Sequence, residues 1–372
     1  MSTVEQNSIV TDLVLNETHP VDLLDSVGNV LLRAGTSVTG EFIAHLAHLG
    51  ISEVFFRTSR SAAAPYSVAN KSEASETFKT GTRLLSRMLT DLLSRKEIER
   101  DQVTEINRHL YSIVKKDPAP IIAEALTQEA KEPDARFTER CITMSLLSLA
   151  IATELQFSET VSLSLANAAL LHDASLALTD FEMLCHPEFR QKPEYLVHPL
   201  RSVELLRSNV LGISNLELIL VAQVHEQVDG SGFPAKLHFS EQSSYSAILN
   251  TVDAFLTLIN TTNSQGGFYP NDSLAYLANH ASLGRFDLQT VKALIQCVGL
   301  YPPGTLVKLS DNRIARVLRP TRDAFSNPVV QAIDHTATIF CPSDLRLKIV
   351  SVANNRTQQR ISREHIGKIF WK

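Results

Sequence analysis

The chain has 372 residues, of which 44% are hydrophobic and 20% are charged, and its formal net charge is -5. This composition is that of a globular protein with more than one domain, and the negative charge argues against a general binder of nucleic-acid polymers. The four cysteines lie far apart, which argues against a disulfide scaffold or a zinc ribbon. We expect no signal peptide and no membrane span, and therefore a cytoplasmic protein.

The first part of the chain, residues 1–58, predicts a small α+β unit. Residues 21–24 and 30–32 flank a turn sequence and predict a β-hairpin. Ser37 or Thr39 can cap a helix that ends near Gly50, and a strand follows at 54–56. Residues 59–75 are rich in serine and alanine and are predicted to be a linker.

Helical spacing of apolar residues dominates the middle of the chain. Residues 76–134 predict a helical connector, and its segment 76–114 favours a helix that packs or dimerises. Residues 135–300 contain five amphipathic runs, at 142–154, 160–171, 201–211, 214–228 and 245–260. Short apolar runs separated by turn residues then predict a small β unit in residues 301–372. The predicted fold is therefore mainly α.

The most informative stretch is 224–234, which reads Val-His-Glu-Gln-Val-Asp-Gly-Ser-Gly-Phe-Pro. Gly230, Gly232 and Pro234 fix a tight loop after a histidine and an acid, because glycine tolerates backbone angles that other residues resist and proline fixes its own. Upstream, His172 and Asp173 interrupt an apolar helical run. An aspartate is costly to bury unless it is paired or binds a cation.

Further histidines and acids follow in the same pattern. His198 precedes a proline at a permitted first-turn position of a helix, and Asp253 is an isolated acid in an apolar helix. Taken singly, each is better explained as a satisfied core or surface residue. Their order and spacing together predict a histidine-and-aspartate metal site, since imidazole and carboxylate suit metals such as iron and manganese.

In this order the motifs resemble the HD-GYP family, bacterial phosphodiesterases of the HD superfamily that hydrolyse cyclic di-GMP. The resemblance covers residues 135–308, and its most specific element runs from His225 to Pro234, with Phe233 in place of the usual tyrosine. It implies an HD-type helical bundle in which a hydroxide bridging two or three iron or manganese ions attacks phosphorus. The positions that match the family's metal ligands are His172, Asp173, His198, His225 and Asp253.

Four positions depart from the family pattern. Arg140 stands where the family has its first histidine ligand, and Val224 stands where one of two paired histidines is expected. Leu176 replaces a lysine that contacts the substrate phosphate region, and Arg136 replaces an acid that helps to hold a third metal. Arginine stays protonated and cannot coordinate a cation. We therefore expect one iron or manganese ion at most, and no two-metal centre.

Two alternatives stay open for Arg140. It either pairs with Asp173 or Asp253, taking the charge role of the missing ion, or it points to solvent. A residual ion has two candidate ligand sets. One consists of His172, Asp173 and Asp253, and the other of Asp173, His198 and His225.

The sequence thus predicts a degenerate HD-GYP protein in cyclic di-GMP signalling, a binding or regulatory module whose hydrolysis is lost or weak. The alternatives are a working phosphodiesterase with a reduced site that depends on Asp173, and a nucleotide sensor without turnover. In the family the glycine loop is associated with contacts to diguanylate cyclase domains. The predicted partner-binding residues are accordingly Asp229, Gly230, Gly232, Phe233 and Pro234. Cyclic di-GMP is the expected ligand, and the helical connector is compatible with a homodimer.

Overall fold

A computed structural model describes residues 5–9, 23–24, 30–32, 36–48, 51–57, 68–127, 135–260, 267–321, 326–333, 339–342, 346–353 and 358–359. The chain divides into two compact units, Met1–Ser67 and Val68–Lys372. Within the described residues, no helix combines the length and apolarity that a membrane crossing requires.

The first unit is a four-stranded antiparallel sheet with one helix. Its elements are β1 (Glu5–Ile9), β2 (Leu23–Leu24), β3 (Val30–Leu32), α1 (Gly40–His48) and β4 (Glu53–Arg57), with the strand order β1-β4-β2-β3. The predicted hairpin is confirmed, because β2 and β3 pair antiparallel. The predicted cap is confirmed as well, since the Phe42 backbone N–H donates to Thr39 Oγ1 at 3.2 Å. The hairpin turn at 25–29 and the predicted helix end at Gly50 lie outside the described residues.

The prediction for the start of the second unit was wrong in two respects. First, α2 spans Val68–Leu93, so the predicted linker is helical from Val68 onward. Serine and alanine suggested a linker, but Ala74 and Phe78 are both buried in the main core, and tertiary packing overrides weak local signals. Second, the segment 76–114 is two helices rather than one. A turn at 94–95 with a positive φ at Arg95 and a short strand separate them.

The second unit is a bundle of helices around one buried helix. After β5 (Ile98–Glu99) its helices are α3 (Arg100–Lys116), α4 (Pro118–Thr127), α5 (Ala135–Glu154), α6 (Glu159–Leu171), α7 (Phe181–Cys185), α8 (Pro187–Arg190), α9 (Pro193–Leu196), α10 (His198–Asn209), α11 (Asn215–Gln223), α12 (Ser246–Asn260), α13 (Pro270–Ser282) and α14 (Leu288–Val298). Every residue from Arg140 to Ala152 of α5 is buried, and α5 packs against α2, α3, α4, α6, α12 and α14. A helix that is apolar on all sides belongs in the middle of a core.

The predicted C-terminal β unit is confirmed. It is a five-stranded sheet of β8 (Leu306–Leu309), β9 (Ile314–Arg319), β10 (Val329–Ala332), β11 (Ile339–Phe340) and β12 (Ile349–Val352), in the order β11-β10-β9-β8-β12. Buried residues alternate along β8 and β9, as the two-residue period of a strand with one covered face requires. The unit has a small core of Val307, Leu309, Ala315, Val317 and Val330. Three further short strands, β6 (Val210–Leu211), β7 (Gly267–Phe268) and β13 (Gln358–Gln359), complete the described elements, with β6 pairing β5 and β13 pairing β7.

Candidate metal centre

The five predicted ligand positions meet in the interior of the helical bundle. They come from four places along the chain: the end of α6, the start of α10, the residues after α11 and the middle of α12. The side chains involved are almost fully buried, namely His172, Asp173, His198, His225 and Asp253. Sequence order had placed them on separate helices, and packing around α5 brings them together.

The backbone fixes which imidazole nitrogens face the centre. His172 lies at the C-terminus of α6, where its Nδ1 is 2.8 Å from the carbonyl oxygen of Ala169. His198 lies in the first turn of α10, and its Nδ1 contacts the carbonyl oxygen of Tyr195. A carbonyl oxygen only accepts, so both Nδ1 atoms carry the hydrogen. Burial lowers the pKa of His198, so its neutral ring directs the lone pair of Nε2 inward, as second-sphere hydrogen bonds do for metal ligands.

Three of the donor atoms converge on one point. Asp173 Oδ1 lies 2.9 Å from His198 Nε2 and 3.8 Å from His225 Nε2, and these two nitrogens are 3.0 Å apart. Within the described residues Asp173 Oδ1 has no hydrogen-bond donor although it is buried. Facing lone pairs repel unless a cation lies between them, so the group Asp173, His198 and His225 suits one divalent ion.

The surroundings shift the pKa values of the two facing histidines in opposite directions. Burial favours neutral His225, but the carboxylates of Asp253 and Asp173 outweigh it and raise the pKa of His225. Burial lowers the pKa of His198, which leaves that ring as the acceptor. In their contact of 3.0 Å between the Nε2 atoms, His225 is therefore the better donor and His198 the better acceptor. An ion that bound between these nitrogens would displace a proton that they share.

Arg140 fills the other half of the centre. Its Nη2 donates to Asp253 Oδ1 in a short ion pair, its Nη1 lies 3.8 Å from Asp173 Oδ2, and its Nη1 lies 3.5 Å from His172 Nε2. The predicted pairing with a carboxylate is confirmed, and the alternative of an arginine in solvent was wrong. Burial would lower the pKa of Arg140, but the charges of Asp253 and Asp173 outweigh it, so the pKa is raised and the guanidinium stays charged.

No local pattern in the sequence indicates a second buried arginine, Arg190. It ends the four-residue helix α8, which is too short to show a period. Its Nη1 donates to Thr257 Oγ1 at 2.8 Å, and Arg140 Nη2 lies 3.3 Å from the same hydroxyl. Its Nε donates to the carbonyl oxygen of Leu184 at 2.7 Å. Two guanidinium groups thus stand beside the two carboxylates of Asp173 and Asp253.

The glycine loop supports the centre from one side. Phe233 stacks on the His225 ring with centroids 4.7 Å apart and 17° between the planes. Glu226 anchors the loop, since its carboxylate accepts the backbone N–H groups of Ala235 at 2.6 Å and Leu237 at 3.0 Å. At Gly232 any side chain would collide with the backbone of the preceding turn, which explains the glycine.

Comparison with known proteins agrees with this geometry. Residues 119–290 match the HD domain family. Cyclic di-GMP phosphodiesterase PA4108 of Pseudomonas aeruginosa is 27% identical over 194 residues, which cover 51% of this chain and 46% of that protein. Cyclic di-GMP phosphodiesterase PdeB of Borreliella burgdorferi is 23% identical over 180 residues, covering 48% and 47%. These matches support the resemblance of this chain to the HD-GYP family. It spans about half the length of these relatives.

Two solved structures are also similar to this chain. Bd1817, a HDG"Y"P protein from Bdellovibrio bacteriovorus, is 15% identical, with a TM-score of 0.49 over 78% of this chain and 98% of the other. The HD domain of the L. monocytogenes phosphodiesterase PgpH in complex with cyclic-di-AMP is 16% identical, with a TM-score of 0.33 over 47% and 92%.

The other departures from the HD-GYP pattern lie around the centre. Val224 is fully buried at the C-terminal end of α11 and Leu176 is buried in the same core, and neither side chain has a donor atom for a metal or a phosphate. Arg136 pairs with Glu182 at 3.2 Å, with side chains 31% and 65% exposed. Among the predicted loop residues Asp229 is exposed, whereas Gly232 and Phe233 are buried. The HD domain family is metal-dependent, and in the described residues Asp173, His198 and His225 form the candidate group.

Proposed function

We propose that this HD-GYP protein acts in cyclic di-GMP signalling as a degenerate member, a binding or regulatory module whose hydrolysis is lost or weak. The observation that carries the proposal is the Arg140 guanidinium, which contacts His172, Asp173 and Asp253. These three residues are one of the two candidate ligand sets. A fixed positive charge in contact with all of them leaves no place there for a metal ion, and two-metal phosphodiester hydrolysis needs both ions.

The charges of the buried groups support the same conclusion. Asp173 and Asp253 carry two negative charges, and Arg140 and Arg190 carry two positive charges, all with little exposure to water. One divalent ion would already leave this group with a net positive charge, and a second ion would add two further uncompensated charges. Burying unpaired charge costs several kcal/mol per ion, about enough to remove micromolar metal affinity.

One iron or manganese ion at Asp173, His198 and His225 is compatible with this arrangement. Such an ion would supply a Lewis acid for a phosphate oxygen and a bound water of lowered pKa. The chain's own residues orient the donors. Asp253 holds His225 through Nδ1 at 3.1 Å, and Phe233 stacks against the same ring. His225 is therefore held in place on both sides whether or not the ion is bound.

Metal analysis of the anaerobically purified protein tests the proposal. We expect about one equivalent of iron or manganese or less in the wild type, and no efficient turnover of cyclic di-GMP. Arg140→His removes the charge and supplies an imidazole, so this variant should take up about one further equivalent. Arg207→His, on the exposed side of α10, is the matched control and should leave the metal content unchanged. Two tightly bound transition-metal ions in the wild type would refute the proposal.

A working phosphodiesterase with a reduced, single-ion site is the second candidate. The observation that favours it is the convergence of His198 and His225 on a buried oxygen of Asp173 that lacks a donor. It predicts measurable turnover of cyclic di-GMP or of its linear product that disappears in Asp173→Ala. Metal uptake without turnover in the wild type would decide against this candidate.

We further propose that the glycine loop contacts a partner, and a diguanylate cyclase domain is the candidate. Such contacts would use the exposed residues Asp229, Ser231 and Lys236, because Gly232 and Phe233 are buried against the metal centre. Charge reversal in Asp229→Lys should weaken binding to a purified diguanylate cyclase domain. Unchanged binding in that variant would remove the loop from the interface. A homodimer formed through α2 and α3 stays a prediction, which sedimentation velocity can test.

A further inference from the structure

A cavity separate from the candidate metal centre lies directly beside Arg140. It has a volume of about 140 Å³, and Arg136, Glu139 and Arg140 of α5 form one wall. These residues are three and four apart and share one helix face. Phe181 and Leu256 contribute apolar surface to the same cavity. Arg140 and Phe181 also line the smaller cavity that contains Asp173. The larger cavity therefore adjoins the candidate metal centre.

Glu139 is the unusual group in this wall. Its side chain is partly buried, and burial raises the pKa of its carboxyl group. Nothing in the described part of the chain donates a hydrogen bond to its carboxylate or forms an ion pair with it. Its neighbour Arg136 uses Nη2 for Glu182, and its guanidinium lies 5.8 Å from the Phe181 ring centroid. The wall thus combines the two carboxylate oxygens of Glu139, which can accept hydrogen bonds, with the remaining N–H donors of Arg136.

We propose that this cavity binds a guanine base of the cyclic dinucleotide, with Glu139 as the residue that determines base specificity. The inference rests on the proposed function and names how its ligand is recognised. The ring N–H and the amino group of guanine donate side by side, and a carboxylate accepts both. Arg136 can donate to the carbonyl oxygen and ring nitrogen of the same base, as arginine does at guanine edges. Phe181 and Leu256 offer the apolar contacts that a flat ring needs.

The arrangement discriminates between bases for an electrostatic reason. Adenine carries a bare ring nitrogen where guanine carries an N–H, so its lone pair would face the carboxylate of Glu139. Its amino group would face the donors of Arg136. A correctly paired base edge is worth roughly 10- to 100-fold in affinity over a mismatched one. The cavity should therefore prefer cyclic di-GMP to cyclic di-AMP.

Calorimetric titration of the full chain with cyclic di-GMP and with cyclic di-AMP, at one fixed manganese concentration, tests this. The wild type should bind cyclic di-GMP about 10- to 100-fold more tightly. Glu139→Gln keeps the shape but replaces one acceptor by a donor, so it should lose most of that preference, through weaker binding of cyclic di-GMP and equal or tighter binding of cyclic di-AMP. Glu204→Gln, on the exposed face of α10, should behave like the wild type. Equal melting temperatures of the three proteins establish that the fold is intact.

The outcomes separate the two proposals. If Glu139→Gln keeps the full preference for cyclic di-GMP, the role of Glu139 is refuted. The same holds if its affinities for the two dinucleotides fall by the same factor, because another residue then recognises the base. A binding module for cyclic di-GMP would survive that result. If the wild type binds neither dinucleotide, the ligand in the proposed function and the guanine cavity are both wrong.

Discussion

Arg140 stabilises the metal-free protein through buried charge pairs, and its replacement by methionine measures this directly. Arg140→Met keeps an unbranched side chain of similar reach but removes the positive charge. The side chains of Arg140 and Asp253 are both 7% exposed, and that of Asp173 is 9% exposed. The substitution would leave the charges of Asp253 and Asp173 short of one partner in a medium that solvates them poorly.

The expected loss follows from this burial. Breaking a buried ion pair by removing one partner costs about 3–5 kcal/mol, because the remaining charge is uncompensated. Arg190 lies nearby and reduces the loss, so we expect the lower end of that range. For a unit of this size 1 kcal/mol corresponds to about 2–4 °C in melting temperature, which gives a decrease of roughly 6–12 °C. Scanning fluorimetry in the presence of a chelator measures it.

The matched control lies one helical turn away. Arg136→Met is the same chemical change in α5, but Arg136 and its partner Glu182 are 31% and 65% exposed. Exposed ion pairs contribute about 0–1 kcal/mol, so this variant should melt within about 4 °C of the wild type. Manganese should recover part of the stability of Arg140→Met, because the freed carboxylates can then bind a cation. If both variants melt together, Arg140 does not act as the buried counter-charge.

Two further substitutions, each with a matched control, test the supports of the centre. Gly232→Ala should destabilise the fold by about 1–3 kcal/mol and reduce metal uptake, because its new Cβ collides with the loop backbone. Gly284→Ala, where the Cβ meets open space, should cost only the strain of its positive φ and leave metal uptake unchanged. Glu226→Gln places an amide against two backbone donors and should cost about 1–3 kcal/mol by chemical denaturation. Glu217→Gln weakens the ion pair with Arg100 at 2.9 Å and should cost a similar amount, again without affecting metal uptake. Wild-type metal content in Gly232→Ala, or wild-type stability in either glutamine variant, would contradict these assignments.

The candidate site was largely accessible from the sequence because its residues interrupt strong patterns. Asp173 and Asp253 are acids inside apolar helices, and a buried acid requires a partner. The same argument made pairing with a carboxylate one of the two alternatives for Arg140, and the structure shows that pairing. In contrast, Arg190 lies among short helices without a period, and its contact with Thr257 bridges 67 positions of the chain. No local pattern indicates such a contact.

Local patterns also misplaced the start of the second unit. The residues around Ala74 resemble a linker in composition, and they are helical because Ala74 and Phe78 bury against the bundle core. A sequence read alone determines which residues share a face of one helix, since that depends on the helical period. It determined the helical bundle, the terminal sheets and the identity of the buried acids and histidines. Only the packing of α5 among its neighbours decided that Arg140 contacts three candidate ligands at once and that Glu139 lines a cavity, because the distances between elements depend on how whole helix surfaces fit together.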